Sequence, residues 1–138
     1  MKASVCTVAA ALLIAGCSTG NAATPPRGAL PPGTAVLRVD GKDIGTTYSV
    51  RCESIDWMTR IHTTGLTAMV SSAETLTTDF VRLEDVDGFT GSFERGLQGE
   101  ATITMTGPTY QITGAALGFN KSEPTRLKAE TFALRVSC

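Results

Sequence analysis

The stretch Glu100-Ala101-Thr102-Ile103-Thr104-Met105-Thr106 alternates apolar and polar side chains without a break. Ala101, Ile103 and Met105 fall on one face, and Thr102, Thr104 and Thr106 on the other. Successive side chains of an extended strand point to opposite faces, so a period of two describes a strand with one face buried. The end of the chain repeats the pattern. Phe132, Leu134, Val136 and Cys138 share one face; Thr131, Ala133, Arg135 and Ser137 share the other. Tyr48, Val50 and Cys52 alternate in the same way with Ser49, Arg51 and Glu53. Between such segments stand turn signals. Asp40-Gly41 and Asp87-Gly88 are short-hairpin dipeptides, Gly96 and Gly99 bracket another turn, and Gly107-Pro108 breaks the chain before Tyr110-Gln111-Ile112. No segment holds helical spacing over three turns. Leu66 to Leu76 comes nearest, and its Thr and Ser content favours a strand followed by a loop. The expected fold is all-β, a single antiparallel β-sandwich or partly closed barrel over residues 36–138.

Ahead of that domain the chain reads differently. Lys2 supplies a positive charge, Val5 to Ile14 is almost wholly apolar, and Ala15 and Gly16 are small. That order describes an export signal, with an apolar run of roughly ten residues, too short for the ~20 that span a bilayer. The run closes on a cysteine. Ile14-Ala15-Gly16-Cys17 resembles the bacterial lipobox. The resemblance implies cleavage between Gly16 and Cys17, with lipid on the Cys17 thiol and further acylation at the new amino terminus. Two or three acyl chains give lasting attachment where one binds only marginally. The alternative is an ordinary secreted protein in which Cys17 is incidental. Residues 1–16 are thus read as a lipoprotein signal peptide and 17–35 as a lipid-anchored tether. The latter carries two Pro-Pro pairs and several Gly and Ala, with no periodic apolar pattern, and is expected to be disordered.

The cysteines then sort by position. Cys6 leaves with the signal and Cys17 takes lipid, so Cys52 and Cys138 remain in an oxidising, exported setting. One disulfide between them is the simplest assignment, and the alternation places both on inward faces. A free reactive pair or a metal site fits less well, because two cysteines without clustered His supply too few ligands. No metal and no cofactor is expected. The 12 Lys and Arg nearly balance the 13 Asp and Glu, which leaves no basic field for nucleic acid.

Candidate chemistry is sparse. His62 is the sole histidine and, opposite Ile61, faces solvent by alternation. No nucleophile or orienting acid can be placed beside it and no G-x-S-x-G elbow exists, so no enzyme is expected. Glu84, Asp85 and Asp87 form an acidic group at a turn without calcium-loop spacing, read as a solvated hairpin end. Gly114 and Gly118 suit close backbone approach or a bulge. Trp57 is read as a core anchor, with ligand stacking as the alternative.

Several stretches together resemble the mycobacterial LpqH-type lipoprotein antigen family. They are Val39-Asp40-Gly41-Lys42-Asp43, Ser49-Val50-Arg51-Cys52, the run Tyr110-Gln111-Ile112-Thr113-Gly114-Ala115-Ala116-Leu117-Gly118, and the closing Val136-Ser137-Cys138. The tether departs from the pattern, being Pro/Gly/Ala-rich where relatives are Ser/Thr-rich. The resemblance implies a cell-envelope lipoprotein on the outer face of the membrane, an antigen whose acylated end is an agonist of a host Toll-like receptor. It implies partners among host receptors or glycans, through an adhesin-like domain, and brings no enzymatic activity. The competing reading is a small-ligand or lipid carrier in envelope transport. A carrier requires an enclosed apolar cavity of several hundred Å3, on the order of small-molecule sites generally.

Overall fold

The computed structural model describes residues 26–138 and is built of ten β-strands. They are β1 (Thr34–Val39), β2 (Lys42–Thr47), β3 (Arg51–Ile55), β4 (Met58–Thr63) and β5 (Leu66–Ser71). There follow β6 (Thr77–Val86), β7 (Phe89–Glu94), β8 (Glu100–Thr106), β9 (Thr109–Asn120) and β10 (Glu123–Ser137). Among the described residues there is no helix. All pairings are antiparallel and form one sheet in the order β2-β1-β10-β9-β7-β6-β5-β4-β3. Strand β8 stands off this path and pairs with β9. The sheet curls on itself as a half-barrel, the partly closed form of the expected all-β fold.

The hairpins lie where the sequence puts them. Asp40 and Gly41, between β1 and β2, have φ of 53° and 73°. Asp87 and Gly88, between β6 and β7, have φ of 49° and 84°. Asp tolerates that left-handed region better than most residues and Gly occupies it freely, which is what a two-residue hairpin needs.

One face of the curled sheet is filled. Leu37 and Val39 of β1, Ile112 of β9, and Phe132, Leu134 and Val136 of β10 meet Ile61 of β4, Val70 of β5, Val81 and Leu83 of β6, and Phe89 and Phe93 of β7. Burying a large aliphatic or aromatic side chain contributes about 1.5–3 kcal/mol, so this shared cluster is the main source of cohesion. Ala101 and Ile103 of β8 pack against it from the side.

The branch at β9 is where the sheet turns. Along one edge β9 pairs with β10. Its other edge is divided: Thr109 to Ala115 pair with β8, and Leu117 to Asn120 with β7. Here backbones come too close for side chains. A Cβ on Gly114 would strike the Glu100 carbonyl, and one on Gly118 would strike the Thr90 carbonyl and the Gly91 Cα. Gly91 and Gly118 are direct cross-strand partners, and a Cβ on Gly91 would meet the Leu117 carbonyl at 2.8 Å. The close approach expected at Gly114 and Gly118 is therefore present at both.

The far edge of the sheet is tied back by the disulfide. Cys52 of β3 is bonded to Cys138, just past β10, with the two Cα atoms 5.9 Å apart. Cys52 is half-buried against the core, whereas Cys138 is exposed, so the inward placement expected for both holds for Cys52 alone. Three other side chains depart from the alternation. Tyr48 is 79% exposed because residues 48–50 are a connector running between opposite edges of the sheet. Met105 is 46% exposed because β8 has a single partner strand and its end runs beyond the core. Trp57 is 55% exposed because it occupies a turn, and the core-anchor reading is corrected.

The described chain starts against the lower end of this sheet. The Leu30 amide donates to Thr109 Oγ1 at 2.9 Å and the Gly33 amide to the Ser137 carbonyl at 2.8 Å. Strand β1 begins at Thr34, just ahead of the expected boundary at 36.

Two substitutions test this account. Gly118→Ala should cost about 2–4 kcal/mol in urea unfolding, because backbone atoms block the new methyl and no rotamer change relieves them. Cys52→Ser or Cys138→Ser should cost about 4 kcal/mol, the entropy of a long unfolded loop, measured against the oxidised protein. A loss under about 1 kcal/mol in the serine variants would mean that the sheet holds its curl without the bridge.

Candidate functional site

The residues first singled out for chemistry remain scattered. His62 lies on the outer face of β4, half-buried, with Nδ1 3.5 Å from the Thr67 hydroxyl, while its neighbour Ile61 is fully buried. Asp85 and Asp87 carry lysine counterions: Lys121 lies 3.5 Å from Asp85 and Lys42 lies 3.0 Å from Asp87. That is a solvated hairpin end. Glu130 is a nearly buried carboxylate at the rim of the core, 8% exposed, with Lys128 Nζ 3.0 Å away. The hydrogen bond to Glu130, then its charge, holds the Lys128 ammonium above its ordinary range. Among the described residues, no three His, Cys, Asp or Glu converge as a metal ion requires. Gly16 and Cys17 lie outside the described residues.

Among the described residues, the recesses are small or open to solvent. A recess between Ile55, Met58 and Met69, flanked by Glu53 and Arg60, holds about 90 Å3. The larger depressions are surface features. One of about 440 Å3 runs beside Ser49, Arg51 and His62, and one of about 380 Å3 lies beside Arg38 and Thr131, both open to solvent. None of these is the closed apolar space that an acyl chain would occupy.

A more organised surface lies at the end where β3 turns into β4. Asp56 and Trp57 form that turn, between the last paired residues Ile55 and Met58, with Asp56 at φ 55°. A turn residue has no sheet neighbour to cover it, so the indole stands at the rim. The turn is nevertheless fixed. The Ser72 amide donates to the Trp57 carbonyl at 2.9 Å, and the Ser72 hydroxyl donates to the same oxygen at 3.3 Å. The loop between β5 and β6 is thereby drawn alongside.

On the next strands a short polar chain completes the wall. The Ser71 hydroxyl donates to Asp79 Oδ2 at 2.8 Å. Arg95 Nη2 lies 2.6 Å from Asp79 Oδ1, a charge contact rather than a well-aligned hydrogen bond. The Arg95 amide also donates to the Asp79 carbonyl at 2.9 Å. Between these groups runs a groove of about 280 Å3, lined by Trp57, Ser71, Ala73, Glu74, Thr75, Thr77 and Arg95. It presents an aromatic surface, three hydroxyls, a guanidinium and a carboxylate. Apart from Trp57, the sequence reading did not mark these residues. The available signal was Asp56-Trp57 standing as a two-residue turn between alternating runs.

Comparison with known proteins gives a consistent picture. Residues 28–138 match the family described as Mycobacterium 19 kDa lipoprotein antigen. The chain is 32% identical to a protein named only as a lipoprotein in Mycobacterium avium subsp. hominissuis, with 76% of each chain covered. It is 30% identical to lipoprotein LpqH of Mycobacterium avium, covering 93% of this chain and 89% of that one. It is also 30% identical to the Mycobacterium tuberculosis protein named probable lipoprotein LppE, covering 86% and 84%.

The rim position of Trp57 has a spectroscopic consequence. Its emission should be that of a solvated indole and should be quenched readily by acrylamide in the native state. Trp57→Ala should change unfolding stability by no more than about 0.5 kcal/mol, as for other surface sites. A loss of about 3 kcal/mol, the size seen for core aromatics, would place the indole in the core instead.

Proposed function

Because the chain belongs to the Mycobacterium 19 kDa lipoprotein antigen family, we propose that it is a cell-envelope lipoprotein displaying a rigid recognition domain. In this reading residues 1–16 are removed and acyl chains on Cys17 hold the protein on the outer face of the membrane. The segment from Cys17 up to Leu30, where the chain docks on the sheet, tethers the domain, and the domain's occupants are proteins or glycans. The acylated end is the part that a lipopeptide-sensing Toll-like receptor of a host would engage. The observation that carries the recognition role is the Trp57 rim: the chain's single tryptophan stands at an open groove instead of in the core. Tryptophan so placed is the residue type most often found to dominate binding surfaces.

The carrier reading draws less support. Transport of a lipid needs space inside the fold, and the inner face of this sheet is occupied by its own side chains. Anchoring and recognition divide the work differently. The lipid stays outside the domain, and the domain keeps its shape.

The anchor is tested at Cys17. Cys17→Ala should abolish incorporation of labelled palmitate, move the protein from the membrane to the soluble fraction, and remove its activity on a lipopeptide-receptor reporter cell. A Cys17→Ala protein that stays wholly with the membranes would overturn the anchor.

A further inference from the structure

The Trp57 groove combines features that a particular kind of ligand requires. A pyranose ring has an apolar C–H face and an edge of hydroxyls that both donate and accept. Its binding site must supply an aromatic surface for the first and paired donors and acceptors for the second. The groove has both. Trp57 provides the aromatic surface, Arg95 the donors, Glu74 an acceptor, Thr75 and Thr77 hydroxyls of either sense, and Ser71, whose proton goes to Asp79, a further acceptor.

We propose that this groove is a carbohydrate subsite taking one neutral pyranose unit, stacked on Trp57 and hydrogen-bonded by Arg95 and Glu74. The proposal rests on the reading of the domain as a recognition module and names its ligand class. Charge argues for a neutral ligand. Arg95 is already offset by Asp79 at 2.6 Å, and Glu74 leaves the groove without a net positive field for phosphate or sulfate. Preorganisation argues for a site rather than a chance cleft. Ser71 holds Asp79, Asp79 holds Arg95, and Ser72 holds the backbone of the Trp57 turn, so part of the ordering cost is met before a ligand arrives. Size argues for a single unit, since about 280 Å3 lies at the lower bound for small-molecule sites. The hydroxyl and charged walls disfavour an acyl chain.

Trp57 is the one tryptophan of the chain, so its emission reports the groove directly. The acylated full chain, in a detergent without a sugar headgroup, is titrated with maltotriose and with α-mannotriose. At least one should give a saturable emission change, with a dissociation constant at or below about 10 mM. Arg95→Ala should weaken that binding at least tenfold, and Trp57→Ala, read by calorimetry, should do the same. Ile55→Ala, on the neighbouring apolar recess, should leave it within twofold. The proposal is overturned if neither trisaccharide gives a saturable response up to about 50 mM. It is equally overturned if sodium phosphate or an unrelated peptide occupies the groove more tightly, or if Ile55→Ala weakens binding as much as Trp57→Ala. Palmitate labelling of the same preparation keeps the outcomes separate. Labelled protein that ignores both sugars refutes the subsite alone, whereas unlabelled protein refutes the anchor.

Discussion

Strand β9 has to serve three neighbours with two edges. β10 occupies one edge along most of its length, and β8 and β7 divide the other. Two strands can share an edge only if they diverge, and divergence brings their backbones across the face of the strand they leave. Gly114 and Gly118 lie at those crossings, and Gly91 faces Gly118 from β7. With no Cβ in the way, the sheet bends sharply between its two halves. The bend brings Phe132, Leu134 and Val136 opposite Val81, Leu83 and Phe93, so the common core depends on it. Closing a sheet by glycine kinks in this manner is a general device of curved β-structures.

The path of the sheet ends at β2 and at β3, and the structure treats these two edges unequally. The β3 edge is tied to the end of β10 through Cys52 and Cys138. The β2 edge is exposed along nearly its whole length and leans on single contacts, such as Lys42 with Asp87 and Thr47 with Thr64. Exposed pairs of this kind contribute at most about 1 kcal/mol each. The β3 edge is therefore the covalently constrained one, and the Trp57 turn leaves from its hairpin, β3–β4.

Much of this fold is legible in the order of residues. The alternation in Glu100–Thr106 and in Thr131–Cys138, and the Asp-Gly pairs at 40–41 and 87–88, mark strands and hairpins because they reflect local backbone geometry. What alternation cannot report is whether a neighbouring strand covers a given face. Met105 has the right period but lies past the end of the core. Tyr48 continues the alternation of β3, yet the chain there is crossing between sheet edges. Trp57 was misplaced for a related reason: its apolar bulk suggests burial, and its turn position decides against it. The groove is harder still to read. Its walls come from residue 57, from 71–77 and from 95, and no local pattern links them before β4, β5, β6 and β7 are laid side by side.

The pairing of β1 with β10 carries a consequence for how this chain folds. Thr34 sits opposite Ser137, so the β1–β2 hairpin can form early but joins the body of the sheet only when the last strand has arrived. Contacts so distant along the sequence must wait for a large loop to close, and folds dominated by them form slowly. The leading hairpin cannot settle into the sheet before the remainder of the chain is present, and the Cys52 and Cys138 sulfurs that lock the edge meet only then. The strand order thus postpones the final shape until the whole chain is available.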